Sequence, residues 1–188
     1  RHLLTMNPDT RNRLMGVSTA TLCTALFKRG LRNQFIQDVR PLNGNLPNMV
    51  GEAFTLRYIP AREDLNKIDV FQDRAHPQRK AVEECPPGAV LVIDSRKDAR
   101  AASAGAILIS RLMVRGVAGA VTDGGFRDSP EIAALPFPTY HQRPSAYILT
   151  RLILPMNRPG KFCLTCRLKS LRAKRWRQSV TLVQANQR

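Results

Sequence analysis

The apolar positions of this chain fall into short runs punctuated by glycine and proline, and the runs switch between two periods. Ala89-Val90-Leu91-Val92-Ile93-Asp94 is a continuous apolar run of strand length, the pattern of a strand buried on both faces. Ile107, Leu108, Leu112 and Met113 then recur at helical spacing, which predicts a helix that starts within residues 101–105 and ends at Gly116. A second short apolar run of small residues follows over 117–121. Strand, helix, strand is a βαβ unit with parallel strands. Its strand C-termini and helix N-terminus share one edge, where ligands bind in such folds.

Upstream, residues 17–29 predict a helix capped by Ser18, with Leu22, Ala25 and Leu26 as its apolar face and Gly30 as its end. Lys28, Arg29 and Arg32 fall where a helix C-terminus favours cations. A turn over 41–47 leads into a strand over 49–58, with Val50, Ala53, Phe54 and Leu56 available to pack. Residues 60–77 are polar and irregular. Their acids have no spacing that converges on a metal, so a solvated helix over 64–71 is expected. Residues 78–84 predict a short helix, stopped by Cys85-Pro86-Pro87-Gly88. Past the βαβ unit, 132–135 reads as a helical turn and 136–140 as a short edge strand with prolines at its margin.

The chemistry collects where the second strand ends. Gly124 and Gly125 break the run, and Arg127 and Asp128 follow side by side. Charges at the end of a buried strand need a partner or a ligand. They form either a structural ion pair, a turn cap, or a site in which Arg127 and the free N–H groups near Gly105 hold a small anion. Asp94 is expected to cap the turn after its own strand. His141 is either an acid–base group or, as we expect, a surface or interface residue.

Gly105-Ala106-Ile107-Leu108, followed by Val121-Thr122-Asp123-Gly124-Gly125-Phe126-Arg127-Asp128 and Glu131, resembles the RraA-like family. That family includes class II 4-hydroxy-4-methyl-2-oxoglutarate / 4-carboxy-4-hydroxy-2-oxoadipate aldolases and proteins named as regulators of ribonuclease E activity. The resemblance covers residues 15–146 and is strongest over 85–146. Arg127, Asp128 and Glu131 match the aldolase motif, while Ala106 stands in the position of its glycine and Gly105 lies one place before.

The resemblance implies an α/β fold, a layered α/β/α domain with a central sheet and the βαβ unit. It also implies a divalent-metal-dependent pyruvate aldolase with oxaloacetate decarboxylase side activity. In that reading Asp128 holds Mg²⁺ or Mn²⁺. Arg127 binds a small 2-oxo acid substrate together with Gly105, Ala106, Ile107 and Leu108, and Asp123 orients a metal-bound water. Family aldolases are homotrimers or homohexamers. Two alternatives stand beside this one: a non-catalytic regulator that binds ribonuclease E, and an inactive truncated homologue. The Arg127, Asp128, Glu131 triplet favours the aldolase.

Charge changes the picture only at the C-terminal end. The chain of 188 residues carries a net charge of +16, with 30 Lys and Arg against 14 Asp and Glu. Ten of the basic residues and none of the acids lie in 147–188, so residues 1–146 carry 20 against 14, a net of +6. Residues 1–146 are therefore expected to be the α/β domain, with the C-terminal part of the family fold missing. Residues 147–188 are expected to be a basic tail, disordered or the product of a shifted reading frame. Within the tail, 168–177 with Trp176 could form a basic helix for nucleic acid, and Cys163 with Cys166 half a zinc site or a redox pair. The four cysteines are too scattered for a disulfide framework. Neither a signal-peptide pattern nor a membrane-length apolar run is present, so a cytoplasmic protein is expected.

Overall fold

The structure is a computed structural model that describes residues 6–60, 69, 72–146, 152–153 and 181–184. Its centre is a sheet whose inner strands are parallel: β2 (Met49–Arg57), β4 (Val90–Asp94), β6 (Gly119–Thr122) and β8 (Thr139–His141). Two antiparallel strands flank them, β1 (Arg40–Pro41) against β8 and β11 (Thr181–Gln184) against β2. The sheet order is β1-β8-β6-β4-β2-β11. A further pair joins β3 (Ile59–Pro60) to β10 (Leu152–Ile153).

Alternation along β4 divides the core, because successive side chains of a strand point to opposite faces. Leu91 and Ile93 pack with Tyr58, Ile109, Leu112, Phe126 and Ile132, on the face covered by α3 (Pro77–Glu84), α4 (Ala106–Val114) and α5 (Ser129–Ala133). Val90 and Val92 pack with Met49, Val121 and Tyr140 against Ile36 and Val39 of the N-terminal segment. That segment also carries α1 (Pro8–Met15), which the sequence pattern did not announce, and α2 (Thr19–Lys28). Ser18 caps α2 by accepting from the Thr21 N–H at 3.2 Å, and Gly30 follows it at φ 82°, as expected.

The βαβ unit is present, with β4 and β6 adjacent and parallel. One expectation needs correcting here. Residues Ala102–Ala104 are not the first turn of the helix but a strand, β5, and α4 begins after it with Gly105 as its N-cap. β5 pairs in parallel with β7 (Gly125–Phe126), which pairs with β9 (Arg143–Pro144). β7 continues the path of β6 and β9 that of β8, so the C-terminal ends of the main strands re-pair into a second small sheet.

Other differences are local. The stripe of α4 is centred on buried Ile109 and Leu112, whereas Ile107 is 85% exposed. The turn expected at 132–135 is α5, which opens at Ser129 because Pro130 suits a first helical turn. The strand expected at the edge lies one place in, because β1 covers it. Apart from residue 69, the helix expected over 64–71 lies outside the described residues, as do the tail features at Cys163, Cys166 and 168–177. No helix among the described residues is long and apolar enough to cross a membrane.

Candidate active site

The small sheet builds the site. Arg127 extends the β5–β7 ladder by donating its N–H to the Ala104 carbonyl at 3.0 Å. Asp128 then turns the chain in the left-handed region (φ 57°, ψ 39°) and becomes the N-cap of α5. Aspartate tolerates that conformation better than most residues because its short polar side chain bonds locally. Here its carboxylate reaches another element: Oδ2 accepts from the Ala106 N–H at 3.1 Å. Gly105 offers α4 no side-chain cap, so Asp128 supplies one across 22 residues. The Arg127 guanidinium lies beside the same carboxylate, with Nε at 3.3 Å from Oδ2 and 3.5 Å from Oδ1.

This packing decides what Gly105 is for. A Cβ there would sit 2.8 Å from Asp128 Oδ2 and 2.9 Å from Arg127 Cγ, closer than real contacts allow. The glycine one place before the motif position is thus the one that lets α4 meet the Arg–Asp pair. Beyond Ala106, the N–H groups of Ile107 and Leu108 belong to the first turn of α4, where no intrahelical acceptor exists. Arg127, Asp128 and the start of α4 are brought together. Glu131 is exposed in the first turn of α5.

Asp123 serves a different element. It is buried, with Oδ1 accepting from the Ser95 N–H at 2.6 Å and Oδ2 from the Lys97 N–H at 3.0 Å. Burial raises its pKa, opposed by those two bonds. They shape the loop after β4, in which Arg96 and Lys97 both take positive φ. Asp94 caps that loop as expected, accepting from the Arg96 N–H at 3.0 Å and pairing with Arg57 at 2.6 Å.

Beneath the site lies a hydroxyl triangle that sequence reasoning missed. Ser95, Ser103 and Thr122 hydroxyls meet at 2.6, 2.7 and 3.1 Å, and Thr122 Oγ1 also accepts from the Gly124 N–H at 3.0 Å. Gly124 must be glycine, since a Cβ would lie 2.6 Å from that of Ser95. The Ser103 carbonyl is held from the other side by the Tyr58 hydroxyl and by Gln78 Nε2, at 2.7 Å for the latter. The available signal was a lone hydroxyl residue inside a small apolar run at Ser103 and at the end of one at Thr122, whereas Ser95 lies past Asp94, outside any apolar run.

An open cleft of about 510 Å³ lies against Arg127 and Asp128, with Leu42, Phe126, His141 and Ser145 in its wall. His141, expected from the sequence at the surface or an interface, is buried within the chain, with 8% exposed. Its Nδ1 accepts from the Phe126 N–H at 3.4 Å, and burial lowers its pKa to about 4. Below pH 6.5 the unfolded chain takes up a proton that the folded chain refuses. Stability is therefore full above pH 6.5 and falls toward pH 4. Denaturant melts across that window should show the slope, and His141→Phe should flatten it.

The RraA-like family model, described as Aldolase/RraA, matches residues 19–150. The chain belongs to the RraA-like family. A Halalkalibacterium halodurans protein named "Putative 4-hydroxy-4-methyl-2-oxoglutarate aldolase" is 32% identical over 120 residues, 64% of this chain. The chain spans about half (50%) of the length of that curated relative. Among solved structures, Streptomyces coelicolor RraAS2, described as an unusual member of the RNase ES inhibitor RraA protein family, is 28% identical. It aligns with TM-score 0.67 over 79% of this chain and 70% of its own. A Pseudomonas syringae pv. tomato protein shares the fold, with TM-score 0.66 and 19% identity over 83% of this chain and 66% of its own. The RraA-like domain thus carries its Arg–Asp pair where the small sheet meets α4.

Proposed function

We propose that this chain is a divalent-metal-dependent pyruvate aldolase that cleaves 4-hydroxy-2-oxo acids, with oxaloacetate decarboxylation as a side activity. The observation that carries the reading is the Asp128 carboxylate. It is pinned through Oδ2 to the N-terminus of α4, beside the Arg127 guanidinium, at the mouth of a cleft. The resemblance to an aldolase-named relative supports the same class.

The residues suit a Mg²⁺ or Mn²⁺ ion of the kind that keeps most of its waters. No group of three or more His, Cys, Asp or Glu converges among the described residues, which disfavours an all-protein cage. Mg²⁺ is commonly held by one carboxylate together with substrate oxygens. Asp128 Oδ1, which has only the long 3.5 Å contact to Arg127, is the atom we assign to it. A bound ion would supply Lewis acidity toward the keto oxygen as the carbon–carbon bond breaks.

The chain's own groups do the rest. Arg127 pairs with the substrate carboxylate, joined by the Ile107 and Leu108 N–H groups at the positive end of α4. Ala106 and Gly105 set the distance between that helix end and Asp128. Asp123 keeps lone pairs beyond its two N–H bonds and is assigned to hold a water at the same edge. All these residues precede 147, so we treat 1–146 as the functional domain and 147–188 as a separate tail. We further propose a cytoplasmic protein that assembles as a trimer or hexamer.

The test is pyruvate release from oxaloacetate by the purified chain. Addition of Mg²⁺ should start turnover and EDTA should abolish it. No turnover from a folded chain would sink the aldolase reading. It would favour the second reading, a ribonuclease regulator, which the likeness to RraAS2 supports.

A further inference from the structure

Two hydrogen-bonding groups in the cleft have no task in the reading above. His141 spends Nδ1 on the Phe126 N–H, so in the neutral ring the proton sits on Nε2. The ring lies against Phe126 with centroids 6.0 Å apart and planes 27° apart, which fixes its orientation. Ser145 uses its backbone N–H on the Phe126 carbonyl at 3.0 Å, leaving its hydroxyl unused. Both residues are at least nine-tenths buried and both line the cleft. Among the described residues no group takes the Nε2–H of His141 or the hydroxyl of Ser145.

The remaining wall here is apolar, made by Leu42, Phe126 and Pro144. Neither atom is sealed from solvent, so water serves both donors until a ligand that displaces it brings an acceptor of its own. Because burial keeps the imidazole neutral, it suits an oxygen that carries little charge. The cleft thus joins a charged part at Arg127 and Asp128 to a neutral, donor-bearing part.

We propose that His141 Nε2–H and the Ser145 hydroxyl bind the C4 oxygen of the 2-oxo acid whose carboxylate end lies on Arg127. This rests on the aldolase reading and deepens it, because it names two residues that recognise the C4 oxygen of those acids. Neither residue exchanges a proton. They select a ligand that has the oxygen over one that lacks it.

The matched probes are 2,4-dioxopentanoate, which keeps an oxygen at C4 and has no aldol hydroxyl to cleave from, and 2-oxopentanoate, which lacks that oxygen. Each is titrated calorimetrically into the full chain with Mg²⁺. The wild-type protein should prefer the dioxo acid by about tenfold, the contribution of one to two buried hydrogen bonds. His141→Leu should lower the ratio to about threefold, the Ser145 bond remaining, while leaving 2-oxopentanoate binding within about twofold. His141→Gln restores a donor and should recover most of the preference. Ser145→Ala, which leaves the Phe126 contacts intact, should lower the ratio if the leucine variant fails to fold. An unchanged ratio in both His141→Leu and Ser145→Ala overturns the proposal, as does equal weakening of both ligands. Arg127→Ala separates the two readings: if it leaves 2-oxopentanoate binding unchanged, the carboxylate site itself is misassigned. Binding of neither probe by the wild-type chain overturns both.

Discussion

Asp128→Asn should lower Mg²⁺-dependent pyruvate release from oxaloacetate by about a thousandfold while moving the thermal midpoint by only about a degree or two. The substitution keeps what the fold needs from this position. Asparagine tolerates the left-handed backbone at φ 57°, and its amide oxygen can still accept the Ala106 N–H. What it loses is the negative charge. A neutral amide is a poor ligand for a hard dication, and it leaves the Arg127 guanidinium beside an uncharged oxygen at 3.3 Å. Asp128→Ala should be equally inactive and slightly less stable, because the acceptor that caps α4 disappears, at a cost of ~1 kcal/mol. Initial rates and a melting curve on the same preparation distinguish the two roles. If Asp128→Asn retains more than about a tenth of wild-type turnover, the carboxylate is a helix cap and not a metal ligand.

Thr122→Val should be the most damaging isosteric change in the small-sheet region. Valine matches threonine in shape, so packing in β6 is preserved and only the hydroxyl is removed. That hydroxyl bonds Ser95, Ser103 and the Gly124 N–H, all buried. Its loss leaves the Gly124 N–H without an acceptor and two serines with only each other. An orphaned buried donor with a broken network costs ~2–4 kcal/mol, which for a domain of this size lowers the midpoint by about 5–12 °C. Ser103→Ala is the internal comparison. It leaves the Ser95–Thr122 bond and the Gly124 N–H bond in place, so its effect should be less than half as large. Calorimetric melts of the two variants decide the matter. A Thr122→Val midpoint within about 2 °C of wild type, less than one lost hydrogen bond predicts, would mean that water fills the triangle.

The elements that local patterning can encode were legible. The run over β4 and the helical spacing in α4 follow from burial on two faces and on one, and each periodicity survives in the fold. Ser18, Gly30 and Asp94 read correctly because caps and tight turns are contacts within a few residues. β5 was not legible. Three small residues carry no period of their own, and Ala102–Ala104 becomes a strand only because β7 lies alongside. His141 was misplaced for a related reason: its burial comes from Phe126 and from the β1–β8 pairing, none of it local.

The candidate site divides in the same way. The sequence by itself determined which groups are available: an Arg–Asp pair after a buried strand, glycines around it, and a helix start upstream, with a resemblance to the RraA-like family that the family match bears out. Only the tertiary structure decided how they are used. It made Gly105 the close-contact glycine, turned Asp128 toward α4, and gave the Asp123 carboxylate to the loop after β4. It also brought Ser95, Ser103 and Thr122 into one buried triangle. Periodicity and capping are short-range properties written along the chain. Hydrogen-bond partners 19 to 28 residues apart are set by how sheets and helices pack, which no local pattern records.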